Sequence, residues 1–414
     1  MTAPKIAPPT QGALAMVLMI LAVSCASGPN AKAMKLKVDA GSFTRIETVV
    51  RVTVPNVTDG PVIVKGGGRY EGGQVTGGEL IFVVHDLPAG QSRTYEFGEG
   101  TMKGPGEPVT VMGKNGGLNF EKAGKLVLRF NVDKVPVPNA GYTPEYSRGG
   151  YIHPVMTPGG HMVTDDYAPN HKHHHGIWWA WTKTSFEDRH PDFWNLGDKK
   201  GTVQLKELTK SWAGAVESGA EAKLEQIDLL ANPAKTALNE RLEVRSYAIG
   251  AGSKPCYIFD LTITDECATA SPLMLPEYRY GGLGFRGNRG WEGSTGMQVL
   301  TSEGVNHRDA KNAERSGIRA RWIHMGEMVD GQFCGLAILD HPSNFRAPQS
   351  LRTHPDEPFV SYAPQQLGDM EIKPGEKYVS KYRFVVADGA PDKALIDRIW
   401  NDFAEPPTVT LVGQ

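Results

Sequence analysis

Four histidines and three tryptophans fall within twelve residues, NHKHHHGIWWAW at 170–181. Seven of the chain's twelve histidines, His153, His161, His171, His173, His174, His175 and His190, lie between 153 and 190, with Trp178, Trp179, Trp181 and Trp194, half of its eight tryptophans, beside them. Imidazoles titrate close to neutrality and suit proton transfer or hydrogen bonding in a cleft. In an extended segment His171, His173 and His175 point one way and His174 the other, and two imidazoles at i and i+2 make half of a metal site. A third ligand would come from afar, from His153, His341, His354 or Asp166, so a divalent metal on His171 and His173 is an alternative chemistry. A structural alternative is that histidines cap turns in the loop marked by Asp165, Asp166 and Pro169.

The tryptophans point to a ligand with faces. Sugar rings stack apolar C–H faces on indoles while their hydroxyls meet charged and amide side chains, so a wall of Trp, His and Arg suits a carbohydrate. Trp178 and Trp179 are adjacent and must point to opposite sides of a strand, so at least one is core; Trp181 and Trp194 are the expected stacking platforms. Two other stretches carry clustered polar and aromatic groups. PEYRYGGLGFRGNRGWEG at 276–293 offers Glu277, Arg279, Tyr280 and Arg286 among glycines that admit close approach of a ligand. LDHPSNFRAPQSLRTHP at 339–355 offers Asp340, His341, Asn344, Arg346 and Arg352 across rigidifying prolines.

The elements that must position these residues read as strands. GKLVLRFNVDKV, GTVQLKELTKSW, AKLEQIDLLA, ERLEVRSYAIG, CYIFDLTITD, GLAILDH and KYVSKYRFVVADG follow one another between turns. In CYIFDLTIT, Tyr257, Phe259, Leu261 and Ile263 share one face and Asp260, Thr262 and Thr264 the other, the mark of a half-buried strand. Residues 34–104 alternate between glycine-rich turns and predict a small antiparallel β module; residues 105–414 predict a large all-β, antiparallel sandwich that carries the His/Trp/Arg site. One helix is expected, in PDKALIDRIWNDFAEPP, with Leu395, Ile396, Ile399, Trp400 and Phe403 on one stripe.

A net charge of −2 with 22 % charged residues and no basic arm excludes a sequence-independent grip on nucleic acid. Residues 1–33 read as a leader, with Lys5 before an apolar run at 13–23 that suits a signal peptide. LAVSC at 21–25 resembles a lipobox, so export is expected, as a periplasmic, outer-membrane or secreted protein, with membrane contact only through a lipid anchor at Cys25. Ala31-Lys32-Ala33 offers a competing ordinary cleavage site. Cys256 and Cys267 flank one predicted strand and would lie roughly 35 Å apart, so no disulfide joins them.

YIHPVMTPGGHMVTDDYAPNHKHHHGIWWAWTKT, followed by DFWN, YRYGGLGFRG, HPSNFRAPQSLRTHP and PFVSYAP, resembles the bacterial family of unknown function often labelled methane oxygenase PmoA-like. The resemblance covers essentially the whole chain after the leader. The oxygenase label implies several membrane spans, and no apolar run of that length follows residue 23, so that activity is not expected. HHHG in a β-rich chain is also similar to the galactose-mutarotase-like supersandwich. That similarity implies a small N-terminal β module followed by a β-supersandwich, with His173 or His174 as the acid and Glu277 as candidate base, although no clean counterpart of the mutarotase glutamate is present. The resemblance implies an exported carbohydrate-active enzyme, a hydrolase, lyase or epimerase, with His173, His174, Glu277 and Arg286 catalytic. His171, Trp181, Trp194, Arg279, Tyr280, His341, Asn344, Arg346 and Arg352 are expected to bind a sugar or oligosaccharide. A non-catalytic glycan-binding surface protein and a metal-dependent hydrolase or oxygenase are the alternatives.

Overall fold

The computed structural model describes residues 34–250, 254–304 and 318–412. Residues 1–33, the expected leader, and with them Cys25, lie outside the described residues. The fold is all-β and its large sheets are antiparallel, with one α-helix among the described residues, near the C-terminus.

An eight-stranded sheet runs from Gly201–Trp212 through Glu217–Asp228, Lys235–Tyr247, Cys256–Cys267, Tyr378–Asp388, Gln332–Asp340 and Trp322–Val329 to Gln298–Thr301. A nine-stranded sheet faces it. Its central strand is Ile177–Ala180, flanked by Gly282–Arg286 on one side and Tyr151–Val155 on the other. The side chains between the two sheets form one core, to which Phe259, Leu261 and Ile263 contribute with Tyr257, as the alternation predicts, while Ile258 belongs to the packing on the other face. Phe259 and Phe384, cross-strand partners, stack at 4.6 Å. Fully burying such a side chain contributes roughly 1.5–3 kcal/mol, which is why the alternating pattern sets strand orientation.

The N-terminal β region is a seven-stranded sheet with its own core, including Leu36, Val50, Val64, Leu80, Phe82 and Tyr95. Six of its strands come from residues 34–99. The seventh, Thr408–Val412, arrives from the C-terminus and pairs with Met34–Asp39. Between that strand and the sandwich runs the helix Lys393–Ala404, capped by Asp392, whose side chain accepts from Leu395 N at 3.1 Å. All five residues of its predicted apolar stripe pack against the outer face of the eight-stranded sheet. Arg45, 1 % exposed, fastens the junction by donating to Ala40 O, Asp402 and Glu405 O.

No helix among the described residues is long and apolar enough to cross a membrane. Cys256, Cys267 and Cys334 are free thiols.

Candidate functional site

The histidine segment forms the strand His171–His175, paired with Asp166–Ala168 in a two-stranded ribbon. The register slips at Tyr167, which holds a left-handed φ of 53°. Such a bulge adds twist to a ribbon already free to twist, so the simple alternation expected for 171–175 does not hold. His175 is fully buried with Nδ1 2.7 Å from Asp166 Oδ1, and Tyr151 donates to the other Asp166 oxygen at 2.7 Å. His171 instead stacks on its neighbour of opposite parity, His174, at 4.7 Å and 11°. Phe359 covers the other side of that ring at 4.9 Å and 12°.

The chain then enters Ile177–Ala180, where alternation does hold. Trp179 points into the sandwich core and donates to Asp265 at 2.9 Å, joined by Trp181 at 2.8 Å. Trp178 points the other way, towards His174 at 4.9 Å and Trp194 at 4.8 Å. It lies across Gly284 of the adjacent strand, where an added Cβ would come within 2.5 Å of the indole.

Two residues beyond Gly284, Arg286 sits at the end of its strand with its side chain 1 % exposed. Its guanidinium is the hub of a polar cluster. Nη1 donates to Glu357 Oε2 at 3.0 Å, and Nη2 donates to Asn170 Oδ1 at 3.0 Å and to Glu292. Asn170 Nδ2 closes the ring by donating to Glu292 at 2.7 Å and to Glu357 Oε1 at 3.1 Å. His171 Nδ1 stands 3.1 Å from Glu357 Oε2, and its side chain is 37 % exposed. His354 approaches from the other side, Nε2 to Glu357 Oε1 at 3.9 Å, while its Nδ1 accepts from the backbone N–H groups of Asp356 and Glu357.

Burial pushes the Glu357 carboxyl up, but the close approach of His171 and the charges of His354 and Arg286 outweigh it and hold the group at about 2. Glu357 is therefore a carboxylate at neutral pH. Burial, then the neighbouring His171, drives His173 down to about 3, and burial drives His174 far below the ordinary imidazole range. Both are neutral rings near pH 7, without an imidazolium proton to give, so neither is placed to be the acid. His171 is a partly exposed histidine of the cluster, and it stands against a carboxylate.

Several expected site residues are placed elsewhere. Glu277 is exposed, its backbone N–H bound to Asp369, and the carboxylate beside His171 is Glu357. Trp181 and Trp194 are 0 % and 1 % exposed, so neither offers a free face: the first is core, and the second is covered by Trp178, Tyr280 and Phe359. Arg279 is exposed beside the half-buried Tyr280, whose hydroxyl reaches Asn195. His341 packs edge-on against Phe403 of the helix. Asn344 bridges Asp340 and Lys381 O, and Arg346 binds the carbonyls of Pro364, Gly368 and Asp369, so both secure loops. Arg352 is buried in Ser350–Thr353. His171 and His173 do adjoin, with centroids 5.7 Å apart, yet among the described residues no three His, Cys, Asp or Glu side chains gather as metal ligands.

Asn170, Glu292 and Glu357 are the additions. The polar motifs at 339–355 and 358–364 flank Asp356 and Glu357 and stop short of them. A Pro-Asp-Glu-Pro run directly after a histidine is the signal that marks this position in the chain.

Residues 117–401 match a family of unknown function (DUF6807). No curated protein matches the chain. The matched span is more than half of the chain and contains every member of the Arg286 cluster, so the chain belongs to this family of unknown function, DUF6807.

Proposed function

We propose that the protein is an exported carbohydrate-active enzyme that acts on a glycoside or sugar, as hydrolase, lyase or epimerase, through acid–base chemistry at His171. The observation that carries this is the 3.1 Å approach of His171 Nδ1 to Glu357 Oε2. In this proposal the ring turns its Nδ1 proton to the carboxylate, an approach that is close but not yet aligned as a hydrogen bond, and Nε2 is the working nitrogen that takes a proton from a hydroxyl or returns one to a leaving oxygen. Glu357 accepts from Arg286 and Asn170 as well, so its lone pairs are spoken for and it acts as a positioning residue. Asn170 and Glu292 are exposed members of the same network and offer both donors and acceptors, the mixture that hydroxyl groups require. The motif resemblance to exported glycan-degrading repertoires supports the choice of substrate class.

Turnover on a panel of plant and algal oligosaccharides tests this. His171→Ala and Glu357→Gln should each lower kcat by roughly 100- to 10,000-fold, the usual worth of a positioned acid or base. Undiminished turnover in both variants, or no turnover by the wild-type protein on any member of the panel, would refute it.

A further inference from the structure

After Trp181 the chain leaves the nine-stranded sheet, and residues 182–200, with Pro276 and Tyr278, enclose a cavity of about 460 Å³. That is within the size range of small-molecule sites. None of the residues holding His171 lines it.

Its back wall is fixed. Asp192 accepts from Trp194 N, Asn195 N, Thr182 Oγ1 and Asn195 Nδ2 at 2.8–3.0 Å, which leaves that carboxylate committed to the protein. The remaining polar groups are differently placed. Lys183, Lys200 and Asp198 line the cavity and make no ion pair with any other described residue. His190 Nδ1 lies 3.3 Å from Thr184 O and donates to it, so Nε2 is left as an acceptor. Tyr278, half-buried, supplies a ring, with Lys183 Nζ 5.9 Å from its centroid. Lys183 itself holds a left-handed φ of 55°, a conformation that a side-chain-bearing residue adopts at a cost.

We propose that this cavity is a binding subsite for one neutral sugar unit. The lining holds two lysines and two aspartates, so its formal charges cancel and it has no preference for a strongly charged ligand. A sugar would lay an apolar C–H face on Tyr278, donate hydroxyl hydrogens to Asp198 and His190 Nε2, and accept from Lys183 and Lys200. A row of rings joins the cavity to the acid–base site: Tyr278 to Tyr280 at 5.0 Å, Tyr280 to Trp194 at 5.3 Å, and Trp194 to His174 at 6.4 Å. The choice of sugars rests on the proposed function; the binding does not require turnover.

The test is calorimetric binding of cellotriose, xylotriose, mannotriose and trigalacturonic acid to the full chain. At least one neutral trisaccharide should bind, and trigalacturonic acid should bind no more tightly. Tyr278→Ala should weaken the neutral ligand by about 5- to 100-fold, the range typical of ring stacking. Tyr278→Phe, which keeps the ring, should retain most of the affinity and guards against a folding defect, and Asp198→Asn should weaken binding measurably. No binding of any neutral trisaccharide at millimolar concentration, tighter binding of the acidic one, or affinity unchanged in both Tyr278→Ala and Asp198→Asn overturns the subsite. Binding lost through Tyr278 in a protein without turnover would leave the subsite standing and defeat the enzymatic proposal. Turnover dependent on His171 but indifferent to Tyr278 and Asp198 would do the reverse.

Discussion

Glu357→Gln is the substitution that probes the polar hub most directly, because it preserves shape and removes charge. The folded protein holds this carboxyl at about 2 instead of 4.5. A shift of that size corresponds to roughly 3 kcal/mol of preference for the ionised form in the native state, and solvent screening at a partly open site reduces it to about 1–2 kcal/mol. The amide also leaves Arg286, 1 % exposed, with Glu292 as its remaining carboxylate partner, a loss in the same direction. Because the folded value lies below the unfolded one, this stabilisation is complete above about pH 4.5 and disappears as pH falls towards 2. Urea denaturation followed by tryptophan fluorescence measures it. The variant should be about 1–2 kcal/mol less stable than wild type at pH 7, and the gap should close on acidification to pH 2–3. Equal stability at pH 7, or a gap that persists unchanged at low pH, would refute the assignment of Glu357 as a charge held by His171 and Arg286.

Glu240 and Asp265 are cross-strand partners sealed in the sandwich, both held well above the ordinary carboxylate range, first by burial and, for Glu240, then by the charge of Asp265. The native state therefore keeps protons that the unfolded chain releases, and this pair costs stability as pH rises above about 4, the ordinary carboxylate range; Glu240→Gln should gain on wild type at pH 9 relative to pH 5, and an identical difference at both pH values would refute the coupling. We propose that residues 1–33 act as a leader and that the mature chain begins at or after Cys25; mass spectrometry of the native protein finding an unmodified Met1 would contradict it.

The strands are legible in the sequence because a two-sided element leaves a period of two in the chain. CYIFDLTIT sorts its residues between core and outer face from sequence alone, and the apolar stripe at 395–403 identifies the helix by the same logic with a period near 3.6. The opposite directions of Trp178 and Trp179 follow from that rule too, since adjacent residues of a strand cannot share a face.

Tertiary structure decided what no local period records. Which strand closes the N-terminal sheet depends on pairing between Met34–Asp39 and Thr408–Val412, residues at opposite ends of the chain. Which carboxylate meets His171 depends on the nine-stranded sheet, whose pairing of Gly282–Arg286 with Phe359–Tyr362 on one side and Ile177–Ala180 on the other brings Glu357 against Arg286 and within 3.1 Å of His171. Glu277 and Glu357 are alike as letters in polar loops; one ends exposed and the other against a buried arginine. Burial likewise turned Trp181 and Trp194 from platforms into packing, and made His173 and His174 neutral, because the desolvation that shifts a side chain's chemistry is set by everything folded around it and not by its neighbours in sequence.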